Sequence, residues 1–357
     1  METIRTRSFA RAGLLGNPSD GYFGKTVSFT FTQFGVELAM TESSRIRFQQ
    51  GEVDDATFAS MDEMSRNLRL YGYYGGIRLL KATAKKFFDW CLEHAVTLPK
   101  RNFTVEYKIN IPRLVGLSGS SAICSAMLKA LMKFYEVTIP LEIQPTICLE
   151  AERDELGINC GFQDRVIQIY NGLVFMDFEK SFIEAHSYGK YEQLYPSATF
   201  NLQPSTFNLY IAYDANRAEE SGKAHKKVKR LFEQKNADVI AAMSEFANIA
   251  QRGRDAIIAG HVNELHSLID ANFDLRDRIF NVAEENRRMV MTARRCGASA
   301  KFAGSGGAIV GTYADEAQFE RLKADLAAIG TVVLKPTIAT AADETAEIAS
   351  LGNWRNS

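Results

Sequence analysis

A strand-like run, Phe103-Thr-Val-Glu-Tyr-Lys-Ile-Asn-Ile111, is joined to a helix-like run, Ile123 to Tyr135, by Pro112-Arg-Leu-Val-Gly-Leu-Ser-Gly-Ser-Ser-Ala122. Strand, Gly/Ser turn and helix in that order constrain the fold more than any other stretch, because together they build an anion site. The first turn of a helix carries N–H groups without intrahelical acceptors, and its dipole is positive at that end. Gly116 and Gly119 remove side chains so that a polyphosphate can approach the backbone. Ser118, Ser120 and Ser121 offer hydroxyls to phosphate oxygens or to Mg²⁺. A flexible linker would share the Gly/Ser content but not the periodic apolar flanks.

The rest of the chain fixes the setting of that loop. Its 357 residues suit two domains, with the polar, Pro-containing stretch Phe200-Asn-Leu-Gln-Pro204 as the boundary, giving units 1–203 and 204–357. Strand-like text at Ile4–Ala12 and Thr26–Phe34 precedes a helix from about Gly75 to His94, helices at Thr146–Leu156 and Gln163–Tyr170, and a strand from Gly172. Beyond the boundary, helical periodicity runs from about Ala218 to Cys296 with breaks near Gly253 and Gly260. Strands at Ala298–Ala303, Ala308–Tyr313 and Thr331–Ile338 and a helix at Glu316–Ile329 follow, for an α+β class overall. The segment around Glu42–Glu63 reads as a charged surface excursion.

Forty-two basic against 43 acidic residues leave a net charge of −1, which argues against nucleic acid or an anionic membrane as the main partner. The basic run His225–Arg230 reads as the solvated face of an amphipathic helix. No apolar run has membrane-spanning length, the N-terminus lacks a signal peptide's apolar core, and the five cysteines form no C-x-x-C pair. A cytosolic protein, monomeric or homodimeric, is expected. Gly24-Lys25-Thr26 is not a Walker A loop, since position 19 is Ser and a strand, not a helix, follows. Gly116-x-x-Gly119 is likewise not a Rossmann fingerprint.

The loop Pro112–Ala122 resembles the second motif of the GHMP family of small-molecule kinases. Arg11-Ala-Gly-Leu-Leu-Gly-Asn-Pro-Ser-Asp20 is similar to that family's N-terminal substrate motif, and Lys301-Phe-Ala-Gly-Ser-Gly-Gly-Ala308 to its C-terminal glycine motif. Three motifs in the right order carry the resemblance over nearly the whole chain. Leu15–Asp20, Gly72-Tyr-Tyr-Gly-Gly-Ile-Arg-Leu-Leu80, Gly116–Ile123 and Gly161-Phe-Gln-Asp-Arg-Val166 further resemble the branch that phosphorylates glucuronate at its anomeric hydroxyl. The implied fold has an N-terminal, ribosomal-protein-like nucleotide domain and a C-terminal ferredoxin-like domain. The implied activity is an ATP- and Mg²⁺-dependent sugar 1-kinase. Another sugar or uronate, or a catalytically silent sugar sensor, is the alternative.

The same resemblance implies roles for single residues. Pro112, Gly116, Leu117, Ser118, Gly119, Ser120, Ser121 and Ala122 would hold the nucleotide. Asp164 would accept or orient the sugar hydroxyl's proton, with Arg11 beside it. Glu152 would be the carboxylate ligand of Mg²⁺, alongside Ser120 or Ser121. The motif is one residue longer than its commonest form, so both serines remain open, and counting back from the helix favours Ser120. Asn17 and Asp20, in a turn-forming sequence, would bind sugar hydroxyls, and Gly304, Ser305 and Gly306 would contact substrate or phosphate. Asn17-Pro18 stands where galactokinases carry Glu-His, which counts against galactose. A uronate also needs a cation, for which Arg217, Lys223, Arg78 and Arg165 are candidates.

Overall fold

Two sheets, each flanked by helices, meet along one apolar core in the computed structural model, which describes residues 3–49, 76–199, 203–214, 222–280 and 282–350. The first sheet is built on a long antiparallel hairpin, β1 (Thr3–Leu15) and β2 (Lys25–Ser43). β2 is long enough to pair along its length with β4 and β5 as well, and the order is β3-β4-β2-β5-β6 with β1 also on β2. Here β3 is Arg47–Phe48, β4 Asn102–Ile109, β5 Leu173–Asp177 and β6 Lys190–Tyr195. On this sheet lie α1 (Gly76–Glu93), α2 (Gly119–Tyr135), α3 (Gln144–Glu150) with a π turn (Ala151–Glu155), α4 (Gln163–Tyr170) and α5 (Lys180–His186). α2 is apolar almost all round, and its Ile123, Met127, Leu128 and Leu131 are buried. Each such side chain contributes roughly 1.5–3 kcal/mol of transfer free energy, which anchors the loop at its N-terminus.

The second sheet has order β10-β7-β9-β8, with β7 Leu209–Asp214, β8 Lys301–Phe302, β9 Ala308–Thr312 and β10 Thr331–Leu334. The helices of this half of the chain are α6 (Gly222–Glu233), α7 (Ala237–Ala259), α8 (Val262–Ile279), α9 (Glu284–Arg295) and α10 (Glu316–Ala327), of which α7 packs on β2 and β1 of the first sheet. Asn236 caps α7 by accepting from the Val239 N–H, and Gly260 closes it at φ +71°. The break expected near Gly253 is absent, because α7 runs through it. Gly253 is there for closeness: a Cβ would sit 1.9 Å from Leu15 Cδ1, so glycine lets the helix lie directly on β1.

The strands expected at 298–303 and 331–338 shorten to the spans given above. After β10 the chain returns to the first sheet, where the Ala339 N–H donates to Thr30 O at 2.9 Å and α11 (Ala341–Ser350) docks on β1. Thr340 and Asp343 cap α11 reciprocally, a box that the sequence contains. Glu344 of α11 accepts from Lys129 at 2.6 Å and from Asn171 at 2.9 Å, tying it to the first sheet's helices. Most of the charged excursion, the Tyr73-Tyr74 segment and residues 200–202 of the expected boundary lie outside the described residues. Among the described residues no helix is long and apolar enough to cross a membrane.

Candidate active site

Arg11 lies mid-way along β1 and is 5% exposed. Its Nη1 donates to Gly116 O and to Ala303 O, both at 2.8 Å, and its Nε to Asp164 Oδ1 at 2.7 Å. One guanidinium therefore joins the N-terminal motif, the Gly/Ser loop, the C-terminal glycine motif and the expected aspartate. Asp164 occupies the first turn of α4, and its Oδ2 accepts from Ser118 Oγ at 2.7 Å. Burial pushes the Asp164 carboxyl up, but the charges of Arg11 and Arg165 and the hydrogen bonds from Arg11 and Ser118 outweigh it. Asp164 is held well below the usual carboxylate range.

The start of α2 has no side-chain cap. Ser118, the N-cap of α2, has φ +64° and makes no side-chain cap bond, since its hydroxyl is turned to Asp164. Ser121 is buried and donates to Ser118 O at 3.3 Å. Half-buried Ser120 makes no side-chain hydrogen bond among the described residues. Gly116 has φ +75°, and a Cβ on it would meet Gly306 O at 2.9 Å. A Cβ on Gly304 would meet Gly116 O at 2.2 Å, so the two glycine loops touch backbone to backbone. Leu117 and Ala122 are buried beneath the loop, Leu117 O accepting from the Arg11 N–H at 3.3 Å, and Pro112 is half-buried at its entrance.

The substrate candidates separate. Asp20, in a 3₁₀ turn (Ser19–Tyr22), accepts from the Gln163 N–H at 3.3 Å, next to Asp164 in sequence. Burial first, and then the Asp164 charge, raise its carboxyl to about 6. Asn17 is buried, its Oδ1 accepting from Lys301 Nζ and its carbonyl from Asn272 Nδ2 at 3.3 Å, which makes it a brace beside the turn. Of the C-terminal motif, Ser305 is exposed and Gly304 buried, and their carbonyls accept from Arg276 at 3.2 and 2.9 Å. Gly306 faces Asn286, whose Oδ1 accepts from the Gly307 N–H at 3.1 Å.

Four site residues went unnoticed in the sequence: Lys301, Arg276, Asn272 and Gln168. Lys301 Nζ also donates to Gly13 O at 2.6 Å and to Phe302 O at 2.8 Å, and Gln168 donates to Ser118 O at 2.9 Å. Only Lys301 stands inside a motif; nothing local marks the other three.

Glu152 lies in the π turn and is fully buried. Its Oε2 accepts from Arg165 Nε at 2.6 Å and from Arg165 Nη2, while its Oε1 is buried without a hydrogen-bond partner. Arg165, expected as a cation for a uronate, is thus committed to Glu152, with a further bond to Gly161 O at 2.8 Å. Arg78 lies on α1, and Arg217 and the Lys223 side chain are outside the described residues. No group of three or more His, Cys, Asp or Glu among the described residues is placed to hold a metal ion. One orphaned carboxylate oxygen plus a serine hydroxyl fits a hard cation that keeps waters and phosphate oxygens as its other ligands.

Residues 78–172 match the GHMP kinases N terminal domain. The chain is 43% identical to probable glucuronokinase 2 of Arabidopsis thaliana over 85% of its own length and 82% of that protein's. It is 41% identical to glucuronokinase 1 of the same plant, over 86% and 84%. Lactococcus lactis galactokinase, solved with galactose, superposes with a TM-score of 0.74 over 95% of this chain and 94% of that one at 15% identity, a likeness of fold.

Proposed function

The chain belongs to the GHMP kinase family, and from that premise we propose that this sugar kinase transfers the γ-phosphoryl group of ATP to the anomeric hydroxyl of D-glucuronate. The observation that carries the reading is the junction at Arg11, where nucleotide loop, glycine turn and Asp164 meet. The substrate is inferred from the two plant relatives, both named as glucuronokinases.

The chain's own groups divide the work. The uncapped N–H groups at the start of α2 hold the polyphosphate. As the C1 oxygen attacks the γ-phosphorus and the bond to the ADP oxygen breaks, Asp164, ionised throughout the neutral range, orients the hydroxyl or accepts its proton. Arg11 keeps Asp164 ionised and stabilises charge on the transferring group. Asp20 accepts hydrogen bonds from sugar hydroxyls, with Asn17 and Lys301 fixing its turn. Glu152 and Ser120, with Ser121 as the other candidate hydroxyl, would hold Mg²⁺, which neutralises the polyphosphate when bound. The setting is cytosolic.

The test is turnover with MgATP across a sugar panel. kcat/KM for glucuronate is expected to exceed that for glucose by at least about a hundredfold, because a site built for a carboxylate leaves a buried cation unpaired when a hydroxymethyl group enters. The product should be acid-labile, with phosphorus coupled to the C1 proton. Equal use of both sugars, or phosphate at C6, would sink the uronate assignment and leave the kinase intact.

A further inference from the structure

Four charged side chains form an alternating row through the site: Arg11, Asp164, Arg165 and Glu152. Arg11 Nε and Asp164 Oδ1 are 2.7 Å apart, Arg165 Nη1 and Asp164 Oδ2 are 3.8 Å apart, and Arg165 grips Glu152 Oε2 through two nitrogens. The row sums to zero charge and ends on Glu152 Oε1, a fully buried carboxylate oxygen without a hydrogen-bond partner. Such an oxygen is costly to bury and asks for a ligand. Further along the row, Asp164 Oδ2 accepts from Ser118 Oγ at 2.7 Å, so the row also touches the loop at the N-terminus of α2.

Both arginine nitrogens converge on Oε2, which holds that one oxygen on the guanidinium and leaves Oε1 without a partner. The guanidinium also cancels the charge that would draw in a bare cation, since a divalent ion would find one oxygen whose negative charge is already compensated. A nucleoside triphosphate brings the missing negative charge. Resting on the kinase reading, we propose that Arg165 is a positioning residue of the metal site: its hold on Glu152 Oε2 leaves Oε1 for the metal, and its charge keeps the metal from binding before the nucleotide. Arg165 thereby sets an order of entry, nucleotide and metal together.

The experiment titrates Mn²⁺ into the full-length protein, with and without the non-hydrolysable analogue AMPPNP, and reads free Mn²⁺ by electron paramagnetic resonance. Wild type is expected to bind Mn²⁺ at least about tenfold tighter with the analogue than without it. Arg165→Gln is expected to bind bare Mn²⁺ at least about tenfold tighter than wild type, because the Glu152 charge is then uncompensated. Because that variant leaves a buried carboxylate unpaired, Glu152→Gln/Arg165→Gln serves as the second variant. It removes both charges, keeps hydrogen-bonding groups of similar shape, and should lose at least about tenfold in Mn²⁺–AMPPNP affinity. Equal Mn²⁺ affinity with and without nucleotide in wild type overturns the proposal, as does unchanged Mn²⁺–AMPPNP binding in the double variant, the result of a purely structural ion pair. Absence of AMPPNP binding by wild type at any metal concentration would instead overturn the kinase reading beneath it.

Discussion

Two pairs of buried basic side chains flank the site and are held in opposite ways. Arg11 and Arg165 lean on carboxylates, Asp164 and Glu152. Lys301 and Arg276 lean on uncharged oxygens: Gly13 O, Phe302 O and Asn17 Oδ1 for the lysine, Gly304 O and Ser305 O for the arginine. The electrostatic consequences diverge. Burial pulls Arg165 down, yet Glu152 lifts it well above its ordinary value. Burial lowers Arg276 to about 10, and burial together with the Arg276 and Arg11 charges lowers Lys301 well below its ordinary value. Arg165 thus keeps its charge, and Arg11 and Arg165 together hold Asp164 ionised, which is what chemistry at a phosphoryl group requires. The oxygen-held pair ties backbone segments from distant parts of the chain into one wall. The first pair should fail in catalysis and the second in stability.

Lys301→Met is the severest test of the second half. It strands three buried acceptors, each worth about 1–3 kcal/mol when left unsatisfied, so a loss of roughly 3 kcal/mol or more and a fall in Tm of about 4 °C or more are expected. An unshifted Tm with lost activity would place Lys301 with the catalytic pair. Asp164→Asn tests the first half: kcat should fall about a hundredfold or more, near 2.7 kcal/mol, while nucleotide binding stays close to wild type. Activity within about threefold of wild type would remove Asp164 from the chemistry. Ser120→Ala/Ser121→Ala should weaken Mg²⁺-nucleotide binding by about tenfold, because the loop's N–H groups survive while the metal loses a hydroxyl. Unchanged affinity and unchanged Mg²⁺ dependence would separate the hydroxyls from the metal.

The same contrast governs what could be read from the chain. The Gly/Ser loop was legible because its chemistry follows from residue type and flanking periodicity, whereas Arg11 and Asp164 were singled out through the family resemblance of the motifs that hold them. The strands and helices around the loop were legible from periodicity. Arg276 and Asn272 were not: they are single polar residues on an otherwise ordinary helix, α8, and only packing turns them onto the 304–305 carbonyls and the Asn17 carbonyl. Arg165 was noticed for its charge as one of four candidate cations, and its pairing was not foreseen, since sequence does not say that Glu152, thirteen positions earlier, folds back onto it. Gly253 was taken for a helix breaker when its function is close approach to Leu15, a contact across about 240 residues of chain. Partners chosen by tertiary structure leave no local trace.

The smallest expected effect concerns Asp20, the acid that neither pair neutralises directly. Its carboxyl is raised from an ordinary aspartate's 3.8 to about 6 by burial and by the Asp164 charge. The unfolded chain releases this proton near pH 4 and the folded protein only near pH 6, so between those values the folded state binds more protons. Stability therefore falls as pH rises through that window, and the whole penalty is present above pH 6. Asp20→Asn has no carboxylate to bury. It should raise Tm of the ligand-free protein at pH 8 by about 2 °C or more relative to wild type, with the gain shrinking toward zero by pH 4. The substitution should also raise the KM for the sugar, because a carboxylate accepts hydrogen bonds from hydroxyls more strongly than an amide does. A gain in Tm that persists at pH 4 would trace to packing and not to charge. No gain at pH 8 would mean that Arg11 and Arg165 already compensate Asp20 as well as Asp164, and the division between the two pairs would then extend one residue further into the substrate turn.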